Sequence, residues 1–221
     1  MSFDPIAKEW DAFRKKPSKT LSFFLPFCKG TVLDAGCGNG RNALALCSVA
    51  THVDAVDVSS EMVKNAEKNT QTKKNVTVTQ AGFTQIPFGN GRFKTVFCLA
   101  AFHHVPPESQ EKVLHEFLRV LKPGGILCLS VWNKGQLRFR EKPKEANVPW
   151  RGFARYYYFF EEEELEDMLE RSGLTVVETF YEKNGKKSSM QEGQNLCGVA
   201  RKKKKRVTRK PKGGDYSSPR K

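Results

Sequence analysis

"VLDAGCGNG", residues 32–40, decides how this chain is read. An apolar run ends in an Asp, and three glycines then follow at alternate positions, 36, 38 and 40. A turn needs one glycine; three in alternation let the backbone come close to something else. At the carboxyl end of a first strand, opening a helix, such a loop binds nucleotide-like ligands through its amides. The spacing G-x-G-x-G differs from the G-x-G-x-x-G of dinucleotide loops. Asp34, two residues ahead of Gly36, would repel a pyrophosphate and suits a cationic ligand. The positive amino acid end of S-adenosylmethionine meets that requirement, directly or through water.

Outward from the loop, strands alternate with helices. A helical stretch follows from Arg41 to Val49, then the strand "THVDAVDV", then a helix opening at "SSEM", where Ser59 or Ser60 can cap the first turn. "NVTVTQ" and "FKTVFCLAAF" read as strands. A helix from about Pro107 to Leu121 carries Val113, Leu114, Phe117, Leu118 and Leu121 on one face, and "PGG" stops it. "ILCLSVW" is a buried strand, residues 133–160 form an irregular aromatic and basic segment, and "EEEELEDMLERSG" is a short helix. "LTVVETFYE" and "NLCGVAR" close the pattern as a strand pair with a hairpin across residues 184–193. The alternation predicts an α/β class, doubly wound, with a mainly parallel seven-stranded sheet and an antiparallel C-terminal strand pair.

Asp57 ends the second strand, where a carboxylate can accept both ribose hydroxyls of an adenosine; capping the next helix is its other use. The six cysteines, at 28, 37, 47, 98, 128 and 197, show no C-x-x-C pair and no zinc spacing, so they read as reduced core thiols and no metal is expected. No run reaches the roughly 20 apolar residues of a membrane span, and the first ten residues lack the apolar core of a signal peptide. A cytoplasmic protein is expected. Of the net charge of +14, ten units fall in residues 201–221, "RKKKKRVTRKPKGGDYSSPRK". One domain is therefore expected over residues 1–201, and a basic disordered tail over 202–221. The tail suits either nuclear import or non-specific attraction to RNA phosphates.

Taken in order, "VLDAGCGNG", "DAVDVS", "QIPF", "AAFHHV" and "VLKPGG" resemble the class I S-adenosylmethionine-dependent methyltransferases, with their Rossmann-like fold. Such enzymes often carry an acid before the adenine-contacting residue; here Gly82 stands in its place, so adenine contact falls to Gly82 and Phe83. The expected cofactor set is Asp34, Gly36, Gly38, Gly40, Asp57, Val58, Gly82, Phe83 and Ala100.

The flanks "FDPIAKEWDAFRKKP" and "VPWRGFARYYYFFEEEELEDML" look like those of the tRNA wobble-uridine carboxymethyl methyltransferases, which esterify 5-carboxymethyluridine at the anticodon. Arg14 and Pro17 match their N-terminal pattern. Arg155, Tyr156 and Tyr157 match their "RYYH", with Tyr158 departing from the usual His. The resemblance implies tRNA as partner and a small zinc-binding activator subunit.

The chemistry suits that assignment. A carboxylate is ionised at neutral pH, so methylating it requires alignment and a dry site and no general base. Accordingly no amino-group acceptor motif of the N/D-P-P-Y/F kind is present. Arg14 and Arg155 are candidates for carboxylate or phosphate contact, His103 stands at the substrate rim after the fourth strand, and Trp132 and the Tyr156–Phe160 cluster can stack an unpaired base. "QLRFREKPK" reads as a phosphate-tracking loop. Two alternatives stay open on the residues: a methyltransferase for a small lipid-like or carboxylic acceptor, and a non-catalytic RNA-binding scaffold.

Overall fold

The computed structural model describes residues 3–204. Its first half alternates as the sequence predicts. Strands β1 (Thr31–Ala35), β2 (His52–Asp57), β3 (Val76–Gln80), β4 (Phe93–Leu99) and β5 (Leu121–Trp132) run parallel to one another. Helices α1 (Ala7–Phe13) and α2 (Leu21–Phe24) precede them; α3 (Arg41–Leu46), α4 (Ser60–Thr70) and α5 (Pro107–Val120) connect them. The sheet order is β3-β2-β1-β4-β5, so the winding direction reverses between β1 and β4. A crevice opens at the carboxyl ends of the strands at such a reversal, and ligands bind there.

Helices cover both faces. Val113, Leu114, Phe117 and Val120 of α5 are buried on one side, and Leu21, Phe24, Ala43, Leu46 and Ala66 on the other. Each large side chain among them contributes about 1.5–3 kcal/mol by leaving water. Ser59 caps α4, its Oγ accepting the amide of Met62 at 3.2 Å. All six cysteines are buried and free.

Residues 133–160 depart from the predicted irregular segment. They include a two-stranded hairpin, β6 (Glu145–Trp150) with β7 (Phe153–Tyr158), turned by Arg151 and Gly152, both left-handed at φ 48° and 83°. Two successive left-handed residues make the tight turn whose twist suits antiparallel strands, and Pro149 is tolerated because neither strand is central.

After α6 (Glu162–Arg171), β8 (Leu174–Lys183) pairs with β10 (Asn195–Lys202), which runs antiparallel to β5. The expected seven strands gain an eighth: β9 (Lys186–Ser188) folds back on β8 over Asn184 and Gly185. The α5 helix ends at Val120, and Leu121 already belongs to β5. Lys202, placed with the tail on the sequence, ends β10, and its Nζ donates to the carbonyls of Leu118 and Leu121. The expected tail beyond 204 lies outside the described residues. Among the described residues no helix is long and apolar enough to cross a membrane.

Candidate active site

The glycine loop leaves β1 in a left-handed conformation at all three positions, φ 77° at Gly36, 55° at Gly38 and 78° at Gly40. The reasons differ from glycine to glycine. A Cβ on Gly36 would lie 2.4 Å from the Ala101 methyl and 3.0 Å from the Phe83 ring. On Gly40 it would press within 3.1 Å of Ala66 in α4. Gly36 and Gly38 line a cavity of about 650 Å³; Gly40 does not, and serves the packing of α3 on α4.

The loop is tied to the end of β2. Gly36 and Cys37 amides donate to the Val56 carbonyl, and the Gly38 amide donates to Asp57 Oδ2 at 2.9 Å. Asp57 Oδ1 accepts the Ser59 amide at 3.0 Å. A carboxylate has about four acceptor positions, so the backbone amides do not exhaust it and it can still accept from a ribose. Val58, beside it, is exposed. Gly82 has open space where a side chain would stand, and Phe83 packs edge-on against Phe117. Ala100, exposed at the end of β4, is left-handed at φ 56°, held by two contacts from its amide to Ser130. Such backbone strain, on the order of 1–3 kcal/mol in a non-glycine residue, concentrates at functional sites.

Asp34 lies beneath the loop, 1% exposed, and does not line the cavity. Burial first, and then the Asp57 charge, push its carboxyl up to about 7, and one of its oxygens has no partner. A buried, unsatisfied carboxyl oxygen behind the loop is what a cationic ligand end would relieve, directly or by polarising a water. The loop, Asp57 and Asp34 therefore fit S-adenosylmethionine.

The cavity widens on the far side of Ala100, where the strand ends meet the N-terminal segment and the β6–β7 hairpin. Arg14, Arg41 and Arg155 all line it. Arg155, 8% exposed, rests its guanidinium against the rings of Tyr157, Trp150 and Trp10 at 5.2–5.7 Å. Its Nε has no hydrogen-bond partner, and among the described residues no carboxylate lies within ion-pair distance. Burial, and behind it Arg14, lower its pKa; burial and Arg14 likewise bring Arg41 down to about 10.

An aromatic wall faces these cations. Tyr157 stacks on Trp132 at 4.2 Å and on His103 at 5.0 Å. The Trp132 amide donates to His103 Nδ1 at 3.2 Å, so the neutral ring carries its proton on Nε2. His104 Nδ1 faces the Tyr156 carbonyl at 2.7 Å and donates to it. Burial holds His103 well below the usual histidine range and His104 down to about 4. Neither carries charge at neutral pH.

Of the acceptor residues named on the sequence, Arg14, His103, Trp132 and Arg155 meet in the cavity. Tyr156 does not. Side chains alternate along β7, so Arg155 and Tyr157 face the cavity while the Tyr156 hydroxyl donates to Glu145 on the opposite side. Tyr157 takes the place expected of Tyr156. In the basic loop, Arg138 covers Phe139 and Trp132, and Lys144 is paired with Glu161 and Glu164.

Tyr157 enters from the sequence only as one ring of the Tyr156–Phe160 cluster, and the period-two alternation in "RYYY" is the signal that separates it from Tyr156. Trp10, Asn39 and Arg41 are cavity or loop residues that reading the sequence missed; they depend on where the N-terminal helix lands. That helix lies across the loop. Asn39 Nδ2 donates to Asp11 and to the Arg14 carbonyl, and Asp4 accepts from the Ser59 hydroxyl and the Glu61 amide at the start of α4.

Comparison with known proteins is consistent with this geometry. The methyltransferase-domain family matches residues 32–125. The 2-methyl-6-phytyl-1,4-hydroquinone methyltransferase of Synechocystis is 33% identical over 119 residues, covering 51% of this chain and 37% of that protein. The tRNA (carboxymethyluridine(34)-5-O)-methyltransferase of Arabidopsis thaliana is 30% identical over 133 residues, covering 59% and 31%. The chain thus spans about a third of the length of these two relatives. In fold it is similar to a Haloferax volcanii methyltransferase solved in complex with the Trm112 methyltransferase activator, with TM-score 0.74 at 21% identity over 91% of this chain and 96% of that one. The match to the methyltransferase-domain family thus takes in the glycine loop, Asp57 and Ala100, and the cofactor that the loop, Asp57 and Asp34 fit is S-adenosylmethionine.

Proposed function

We propose that this chain methylates a carboxylate on an RNA base, forming the methyl ester of 5-carboxymethyluridine at the tRNA wobble position. The observation that carries the reading is Arg155: a buried guanidinium without a carboxylate partner, turned toward a cavity that Arg14 and Arg41 also line. Leaving such a charge unpaired is costly unless an anionic ligand completes it. Its Trp132–Tyr157–His103 wall gives a flat base a surface to stack on.

The cofactor supplies a methyl group already activated on a sulfonium. Asp57, the side-chain-free backbone at Gly36 and Gly38, Val58, Gly82, Phe83 and Ala100 would hold it, with buried Asp34 as the counter-charge for its amino end. Arg14 and Arg155 align the acceptor carboxylate, and the aromatic wall keeps water away. No residue needs to take a proton, since the acceptor is ionised at neutral pH, and neutral His103 and His104 suit that chemistry. Too tight a guanidinium pairing would blunt the nucleophile. A cavity edged by three guanidinium groups is a poor match for an apolar quinol acceptor. The Arabidopsis relative acts on the same modified uridine, which supports the reading. A small activator subunit, as in the Haloferax complex, is proposed as partner.

The test is methyl transfer in vitro from labelled S-adenosylmethionine to tRNA bearing 5-carboxymethyluridine, with nucleoside mass spectrometry of the product, alone and with such an activator. Accumulation of the methyl ester is expected. Absence of ester under both conditions, with transfer to a small acid instead, overturns the RNA assignment.

A further inference from the structure

We propose that Asn39 is a positioning residue that couples the cofactor loop to Arg14, making acceptor binding depend on cofactor binding. The inference rests on the proposed acceptor role of Arg14 and adds the means by which that residue is placed. Asn39 is the middle residue of Gly38-Asn39-Gly40 and is 1% exposed. Its Nδ2 donates twice, to Asp11 Oδ1 at 2.9 Å and to the Arg14 carbonyl at 3.0 Å. Asn69 of α4 closes the ring, its Nδ2 reaching Asp11 Oδ1 at 2.8 Å and the Asn39 carbonyl at 3.0 Å. Four polar groups thus join the loop, α4 and the end of α1, where Arg14 is the residue that stops the helix.

The amide orientation follows from its neighbours. Both groups facing Nδ2 are acceptors, so turning the amide over would set oxygen against oxygen. Asn39 Oδ1 is left buried and unpartnered, the remainder of a side chain placed for its two donations. An aspartate here would confront Asp11, and an alanine would leave the Arg14 carbonyl with nothing from the loop.

The other side of the same turn meets the cofactor. Gly36 and Gly38 line the cavity, and the Gly38 amide is fixed by Asp57. A ligand that orders this turn orders Asn39, and with it the backbone of Arg14. Coupling of this kind is reciprocal: cofactor must tighten the acceptor by the factor with which acceptor tightens cofactor.

The experiment measures binding of an anticodon stem-loop RNA bearing 5-carboxymethyluridine to the full chain, with and without S-adenosylhomocysteine, and the acceptor KM alongside. Wild type should bind the RNA at least about fivefold more tightly with S-adenosylhomocysteine, within the usual range of such couplings. Asn39→Ala should bring that ratio close to one and raise the acceptor KM while S-adenosylhomocysteine affinity stays within about twofold. Asn39 is not left-handed, so alanine introduces no backbone strain. Asp11→Ala approaches the same contact from α1 and should act alike, which covers the case of an Asn39 variant that fails to fold. An intact ratio in the variants, or a loss confined to S-adenosylhomocysteine affinity, overturns the coupling. Arg14→Ala separates the two readings. If it weakens the acceptor while the Asn39 and Asp11 variants leave the ratio intact, the coupling alone is wrong; if it leaves the acceptor at wild-type KM, the role of Arg14 falls and the coupling with it.

Discussion

Asp57 fixes the backbone of Gly38, its Oδ2 accepting the amide at 2.9 Å while Oδ1 accepts that of Ser59. One carboxylate therefore shapes the loop and presents the acceptors for a ribose. Asp57→Ala should weaken S-adenosylmethionine by at least about tenfold, since each hydrogen bond to a charged group is worth about 1.5–3 kcal/mol. It should also lower the melting temperature, because the Gly38 amide loses its partner. Calorimetric titration beside a thermal melt checks both, and wild-type affinity would remove the ribose from Asp57.

Gly40 separates packing from ligand contact. Gly40→Ala forces a Cβ within 3.1 Å of Ala66 and keeps a left-handed φ of 78°. The strain of a left-handed alanine is about 1–2 kcal/mol, and the crowding adds to it. The variant should melt several degrees lower yet bind S-adenosylmethionine within about twofold of wild type. Loss of binding in a variant with a wild-type melt would return Gly40 to the cofactor set.

What the sequence made legible was local. Alternating apolar strands, the Ser59 cap and the glycine loop each declare themselves within a few residues, and the parallel half of the sheet follows from them. The β6–β7 hairpin was hidden because its strands carry charge and aromatics on both faces, so no single apolar stripe marks them. The pairing of Asn39 with Arg14 spans 25 residues of chain, and the meeting of Arg14 and Arg41 with Arg155 spans more than a hundred; periodicity is blind to both.

Asp34 gives a dependence on pH with a definite sign. Its carboxyl sits at about 7 in the folded chain, raised by burial and then by Asp57, against about 4 when unfolded. Between those values the folded state holds a proton that the unfolded state has released, so this group's contribution to stability declines as pH rises from about 4 to about 7 and stays low above. His103 and His104, depressed by burial, act oppositely: stability is lost as pH falls below about 6.5. The difference between Asp34→Asn and wild type isolates the carboxyl. The variant's gain in melting temperature should grow from pH 5 to pH 8; a gain independent of pH would mean that Asp34 is ionised throughout.

Tyr156 and Tyr157 are neighbours in β7 on opposite faces. Tyr157→Ala removes a ring stacked on Trp132 and His103, and should raise the acceptor KM by about fivefold or more, base stacking being worth about 1–3 kcal/mol. Tyr156→Phe keeps the ring, removes the hydroxyl that donates to Glu145, and should leave transfer at wild-type rate. The reverse pattern would place the acceptor on the other face of the hairpin.

Arg14 and Arg155 should act on the acceptor and not on the cofactor. Both line the cavity beyond Ala100, and neither touches Asp57 or the amides of the glycine loop through its side chain. A guanidinium offers two parallel donors to a carboxylate, a geometry that an ammonium does not reproduce, and Arg155 is further held flat among Trp10, Trp150 and Tyr157. Arg14→Lys and Arg155→Lys keep the charge and lose the fork. Each should lower single-turnover methyl transfer to carboxymethylated tRNA about tenfold or more, the worth of one charge-assisted bond, while S-adenosylmethionine affinity stays within about twofold. Transfer at the wild-type rate would take these residues out of the site. A collapse of cofactor binding would instead assign the guanidinium groups to the carboxylate of the cofactor itself, and the anion that completes Arg155 would then belong to S-adenosylmethionine.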